Sequence, residues 1–194
     1  MQTQVVQKKA EQAEPKRITW EEFERRYLSR EDKFKYEWVN GLVEKTERTM
    51  NQYQFFIWTN LHRFFEDLRR AGKISGDIST EVDTFFLPKV HRRPDIVWFS
   101  DEQLVRMAKG ENQVPEFVIE VVSNRDNVKK LTLKMRNYRD AGVKVVWQIH
   151  PDTEEVIVSH GKNSVTYTID ETCSAAPVLP AFAMKVSDIF KKPA

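Results

Sequence analysis

Phe117-Val118-Ile119-Glu120-Val121-Val122 is the stretch on which the fold turns. A run this apolar reads as a strand covered on both faces, as in a sheet with a layer on either side. Glu120 interrupts it, and a buried carboxylate without compensation is costly or takes up a proton. Three remedies are open: an Arg or Lys partner, a hydrogen-bonded protonated acid in the core, or a bound cation. Downstream, Val128, Leu131, Met135, Tyr138 and Gly142 mark one face of a helix, and residues 143–149, 156–159 and 164–169 read as strands. Upstream, strands are expected over residues 74–87, with a break, and over 96–99.

Nearer the N-terminus, Thr19 and Glu22 have capping-box spacing, and Trp20, Phe23 and Tyr27 recur as on a short helix. Residues 34–39 and 42–46 flank Asn40-Gly41, a pair that tolerates the positive φ of a tight hairpin turn. Over residues 50–70, Tyr53, Ile57, Leu61, Phe64, Phe65 and Leu68 repeat every three or four positions, which makes a long amphipathic helix closed by Gly72. Its aromatic stripe is read as core. Strands and helices in this order imply an α/β fold, a central mixed sheet flanked by helices.

With 194 residues there is material for one sizeable core but hardly two. A mobile tail is expected over 1–16, where Gln, Lys and Glu follow no period, and a single domain over 17–194. Lys and Arg number 31 against 29 Asp and Glu, so any nucleic-acid surface must be local. Cys173 is the only cysteine, which excludes an intrachain disulfide and a cysteine-based zinc site. No apolar stretch is long enough to act as a leader or to span a bilayer, so no membrane partner is expected, and a cytoplasmic setting is the simplest reading.

A second acid changes the reading of Glu120. Asp95 opens another apolar strand, Ile96-Val97-Trp98-Phe99, and two carboxylates on neighbouring strands would repel unless a divalent cation joined them. Oxygen donors without a His or Cys pair point to a hard ion, Mg²⁺ or Mn²⁺. His62 and His160 have no metal-ligand spacing. On the following helix, successive 100° steps put Lys134 beside Tyr138 at the edge of the apolar face, from which its stem can run toward the Glu120 strand. Lys129 and Arg136 point away.

These residues resemble the Uma-two-type endonuclease family of the restriction-endonuclease-like, PD-(D/E)XK superfamily. The resemblance is carried by residues 36–41, Arg93-Pro94-Asp95, the Glu120 strand, residues 123–126, Lys134 to Tyr138 and residues 141–151, and it runs from about residue 18 to 190. It implies a restriction-endonuclease-like fold and a metal-dependent endonuclease that hydrolyses DNA phosphodiester bonds. By the same resemblance the metal would lie on Asp95, Glu120 and the Val121 carbonyl, with Lys134 assisting the attacking water. Glu37, matching a recurrent family glutamate, would approach that metal or hold a second one, although strand alternation puts it with Lys35 on the polar side of its hairpin.

Several positions depart from the pattern. Val122 stands where the superfamily expects lysine, Asn124 where the family has proline, Glu116 and His150 where it has aspartate, and Gln52-Tyr53-Gln54 where it has a histidine. They favour an alternative, a catalytically inactive nucleic-acid-binding or regulatory protein on the same fold. A third reading is a structural interaction domain in which Glu120 simply pairs with Lys134. For DNA, the expected phosphate contacts are Arg92 and Arg93, in a basic loop with His91, and Lys129 and Lys130 on the helix. The sequence leaves a homodimer open.

Overall fold

A computed structural model describes residues 15–47, 52–123 and 126–192. The tail expected over 1–16 lies almost wholly outside these residues, as do Asn124 and Arg125. The described chain begins with the turn α1 (Trp20–Phe23), which continues into a wider π-helical turn, Glu24–Leu28. The Thr19 side chain caps it by accepting the Glu22 N–H. Strands β1 (Phe34–Val39) and β2 (Leu42–Glu47) form the expected hairpin. Asn40 and Gly41 turn it at φ 50° and 86°, values that a bulky or β-branched residue would resist.

Helix α2 (Gln52–Arg70) is followed by β3 (Asp77–Thr80), β4 (Thr84–Leu87), β5 (Val90–Arg92) and β6 (Ile96–Phe99). Then come α3 (Asp101–Met107), β7 (Phe117–Val121), α4 (Val128–Asp140), β8 (Val145–His150), β9 (Glu155–His160) and β10 (Asn163–Tyr167). The hairpin β11 (Thr172–Ala175) and β12 (Leu179–Lys185) and the turn α5 (Val186–Ile189) end the chain. Among the described residues no helix is long and apolar enough to cross a membrane.

Two sheets frame the molecule. The larger has strand order β10-β9-β8-β7-β6-β3, mixed because β7 and β8 run parallel, joined by α4 as crossover. The smaller has order β2-β1-β5-β4. Both faces of the larger sheet are covered. On one, Phe117, Ile119, Trp147 and Ile149 pack with Leu61 and Phe65 of α2 and with Phe182 of the last hairpin. On the other, Val97, Val118 and Val146 pack with Tyr138 of α4 and Phe86 of β4. Glu120 shares its parity with Val118, so it points into this second layer.

The structure corrects the basic loop expected at His91-Arg92-Arg93. Residues 90–92 are strand β5, hydrogen-bonded between β1 and β4. A strand with a neighbour on each side, covered above and below, leaves its side chains no route to solvent.

Candidate active site

The register of β6 on β7 pairs Ile96 with Ile119 and Val97 with Val118, and one further step sets Asp95 opposite Glu120. The two acids therefore meet on one face, as the sequence led one to expect. Each is held by one neutral donor and one ammonium. The Val121 N–H donates to Asp95 Oδ2 at 2.8 Å, while Lys35 Nζ lies 2.5 Å from Asp95 Oδ1. The Tyr138 hydroxyl donates to Glu120 Oε1, and Lys134 Nζ donates to Oε2 at 2.9 Å.

Lys134 arrives as the helical geometry predicted, snorkelling from the edge of the α4 apolar face. Its Nζ also lies 3.3 Å from Glu37 Oε1. Glu37 is only 5 % exposed, so the polar side of β1 faces the site and not solvent. Tyr36 and Trp38, of opposite parity, pack with Phe23 of α1 on the outer side. Behind Glu37 sits Arg92, 0 % exposed. Its Nη1 donates to Glu37 at 2.9 Å and to Glu44 at 2.8 Å, and its Nη2 donates to Asn137 at 2.8 Å. The Arg93 backbone N–H completes the set at 2.8 Å from Glu37 Oε1.

This overturns the assignment of Arg92 and Arg93 to phosphate contacts. Arg92 is consumed by the carboxylates of Glu37 and Glu44. Arg93 forks onto Asp83 and reaches the Leu28 carbonyl. Arg92 is fully enclosed and both its terminal nitrogens are bonded inside the protein, and Arg93 is buried with its Nε and Nη2 on Asp83, so neither can reach a phosphate without breaking these pairs. Lys129 and Lys130 are exposed at the start of α4, where Asn127 caps the helix, and Lys130 lines the rim of the cleft.

The acids open into a cleft of about 630 Å³ between the two sheets and helices α2 and α4. Along it the carboxylates of Glu37, Glu44, Glu47, Glu81, Asp95, Glu120 and Asp126 outnumber the ammonium groups of Lys35, Lys45, Lys130 and Lys134. The ionisation of the inner groups follows. Burial pushes Glu120 up, Lys134 opposes this, and the neighbouring Asp95 adds to it, bringing its pKa to about 7. Burial acts on Glu37 too, but Lys134, Arg92 and Lys35 more than offset it and hold the acid at about 2. Asp95 is likewise held below the usual range against burial, chiefly by Lys35 and then Lys134. Burial, then the charge of Glu120, raises Tyr138 well above an ordinary phenol, so its hydroxyl stays a donor.

Among the described residues no three or more His, Cys, Asp or Glu converge as a ready-made metal cage. Two carboxylates are nevertheless what Mg²⁺ commonly takes from a protein, with water and substrate phosphate filling its shell. The all-oxygen donors Asp95 and Glu120 suit such an ion, and so does the surplus of acid along the cleft. Lys35, Tyr138, Glu44 and Asn137 were not singled out from sequence as members of the site. For Lys35 the signal was present: with Glu37 two positions on, it puts opposite charges on one face of a strand whose other face is aromatic.

Compared with known families, the chain matches Uma2, described as "Putative restriction endonuclease", over residues 20–187. Among solved structures it is similar to one titled as a putative nuclease belonging to DUF820 from Anabaena variabilis, with TM-score 0.73 at 19 % identity, covering 89 % of this chain and 97 % of that one. At that identity the likeness is one of fold. No curated protein matches.

Proposed function

The chain belongs to the Uma2 family, matched over residues 20–187, and from that premise and the acids of its cleft we propose that it is a metal-dependent endonuclease acting on DNA. The observation that carries this reading is the pairing of Asp95 and Glu120 across β6 and β7, both opening into one acidic cleft. Asp95, Glu120 and the Val121 carbonyl would hold Mg²⁺ or Mn²⁺. Bound there, the ion supplies Lewis-acid charge and a water of lowered pKa for attack on the phosphodiester.

The protein's own groups do the rest. Tyr138 fixes one oxygen of Glu120 and the Val121 N–H fixes one of Asp95, so both carboxylates are oriented before any ligand enters. Lys134 brings a positive charge to the inner edge of the cleft, where negative charge grows on a reacting phosphate. Glu37 holds that lysine in place: Oε2 is taken by Arg92, and Oε1 by Lys134 and the Arg93 N–H. Its role is thus positioning and not cation binding. Lys129 and Lys130 remain as phosphate contacts for a DNA strand entering along α4.

One observation favours the alternative of a non-catalytic nucleic-acid-binding or regulatory protein. Val122 lines the cleft where the superfamily has its lysine, and both candidate metal ligands are already ion-paired. The Glu120–Lys134 pair of a purely structural domain is present as well. Supercoiled plasmid incubated with Mg²⁺ or Mn²⁺ separates these readings. Nicking that needs the ion and is lost in Asp95→Asn and Glu120→Gln, with both variants folded, is the expected result. Intact plasmid with a folded parent chain that binds DNA leaves the non-catalytic reading, and no response of stability to metal or chelator leaves the structural one.

A further inference from the structure

Lys35 is the group that the proposed chemistry leaves without a task. It stands on β1, in the smaller sheet, yet its ammonium reaches across to the larger one and contacts Asp95 Oδ1 at 2.5 Å. Its side chain is almost wholly enclosed, but it lines the cleft. Burial works against the charge, and Asp95, then Glu120 and Glu37, more than offset it and raise its pKa, so Lys35 is a cation at any ordinary pH. The other Asp95 oxygen is fixed by a backbone N–H, which carries no net charge and has no reason to leave.

On the reading that Asp95 is a metal ligand, we infer that Lys35 is a built-in competitor for the cation: it neutralises Asp95 in the metal-free protein and must give up Oδ1 when a divalent ion binds. Without it, docking of the smaller sheet would bury Asp95 and Glu120 and bring Glu37 up to them with Lys134 as the only ammonium, among the described residues, beside them. Desolvation and like-charge repulsion would oppose that docking. With it, the protein folds before metal arrives, at the expense of metal affinity. A flexible stem makes the exchange feasible, because an ammonium on four methylenes can swing into the cleft without backbone movement. Lys35 is thus a positioning residue that acts through Asp95.

Calorimetric titration of Mn²⁺ into the parent, Lys35→Met and Asp95→Asn tests this, with no DNA present. The parent is expected to bind through Asp95, so Asp95→Asn loses the signal. Lys35→Met is expected to bind more tightly at unchanged stoichiometry, by about tenfold, the lower end of the range by which an adjacent opposite charge alters a carboxylate's proton affinity. It is also expected to be less stable than the parent in chelator and to gain more stability than the parent at the same Mn²⁺ concentration, whereas loss of a purely structural lysine would leave the two gains equal. Equal or weaker affinity in folded Lys35→Met overturns the inference while leaving the metal site intact. Binding absent from the parent, or unchanged in Asp95→Asn, removes the metal site itself and the competitor with it. Should Lys35→Met not fold, Lys35→Arg serves: a stronger fork on Asp95 lowers Mn²⁺ affinity below the parent, and an unchanged affinity overturns the inference.

Discussion

Lys134→Met removes the ammonium but keeps an unbranched stem of similar length, so the apolar edge beside Tyr138 stays filled. What is lost is a cation 2.9 Å from Glu120 and 3.3 Å from Glu37, both buried. Removing one partner of a buried pair generally costs about 3–5 kcal/mol, because the other charge is stranded. Here the loss has a ceiling. Glu37 keeps Arg92, and Glu120, already at a pKa of about 7 with the lysine present, can take up a proton once it is gone. The destabilisation should therefore be near the top of that range at pH 8 and markedly smaller at pH 6, measured by urea denaturation. Single-turnover plasmid nicking at saturating metal, with circular dichroism confirming the fold, should fall on the order of a hundredfold or more. Val122 lines the cleft two residues beyond Glu120, on the same side of the chain. Adding Val122→Lys should then restore part of the rate, whereas Val122→Lys alone should add little. Parental cleavage by folded Lys134→Met would refute the catalytic role. Loss without rescue would refute only the interchange of the two positions.

Two further outcomes distinguish groups that the sequence alone could not separate. Arg92→Met should cost about 3–5 kcal/mol in urea denaturation, since it strands Glu37 and Glu44, and adding Glu37→Gln should recover part of it. The pair Lys129→Glu and Lys130→Glu should leave stability alone and flatten the salt dependence of DNA binding by roughly two units of log–log slope. A small effect of Arg92→Met on stability, or none of the lysine pair on DNA affinity, would contradict these placements. The metal-free protein should also lose stability as pH rises from 4.5 toward 7. Glu120 has a folded-state pKa of about 7 against an ordinary 4.5, so in that window the folded protein binds the extra proton, and removing it favours unfolding. The full shift corresponds to about 3 kcal/mol. Glu37, at about 2, acts in the opposite sense, and its contribution is lost as pH falls through 4.5 toward 2. Urea midpoints in chelator from pH 5 to 8, parent against Glu120→Gln, read the difference. Parallel curves would reject the shift.

The larger sheet was legible because its strands are local, apolar and bounded, and because α4 shows its period plainly. Glu120 stood out as a charge in an apolar strand, and Lys134 followed from helical angle. What could not be read was how the smaller sheet extends beyond its expected β1–β2 hairpin, and which way that hairpin faces. Alternation in β1 separates Lys35 and Glu37 from Tyr36 and Trp38, but one strand cannot tell whether its polar face meets water or another polar face. The same ambiguity concealed β5: His91-Arg92-Arg93 has the composition of a basic loop, and its burial depends on Glu37, Glu44 and Asp83, acids as many as 55 residues away in the chain. Helix α3 was not among the expected elements, although Ser100 and Gln103 form a capping box at its start. The last hairpin was missed because Thr172–Ala175 is short and Leu179–Lys185 carries a proline.

Stability does not account for this arrangement of charges. A buried ion pair can often be replaced by well-packed apolar residues with no loss, and sometimes a gain, of stability. Between its two sheets this protein sets Lys35 on Asp95, Lys134 on Glu120 and Arg92 on Glu37 and Glu44. Leucine and valine could fill that layer at lower desolvation cost. Burial raises all three acids, but the neighbouring cations more than offset it at Glu37 and Asp95 and not at Glu120, so neighbouring carboxylates differ in charge near neutral pH. Divergent ionisation among convergent acids is more characteristic of working sites than of cores. The strands that bear these groups come from both sheets. The β1–β2 hairpin is therefore part of the site, since Lys35, Glu37 and Glu44 all stand on it, and the site is complete only when the smaller sheet docks on the larger.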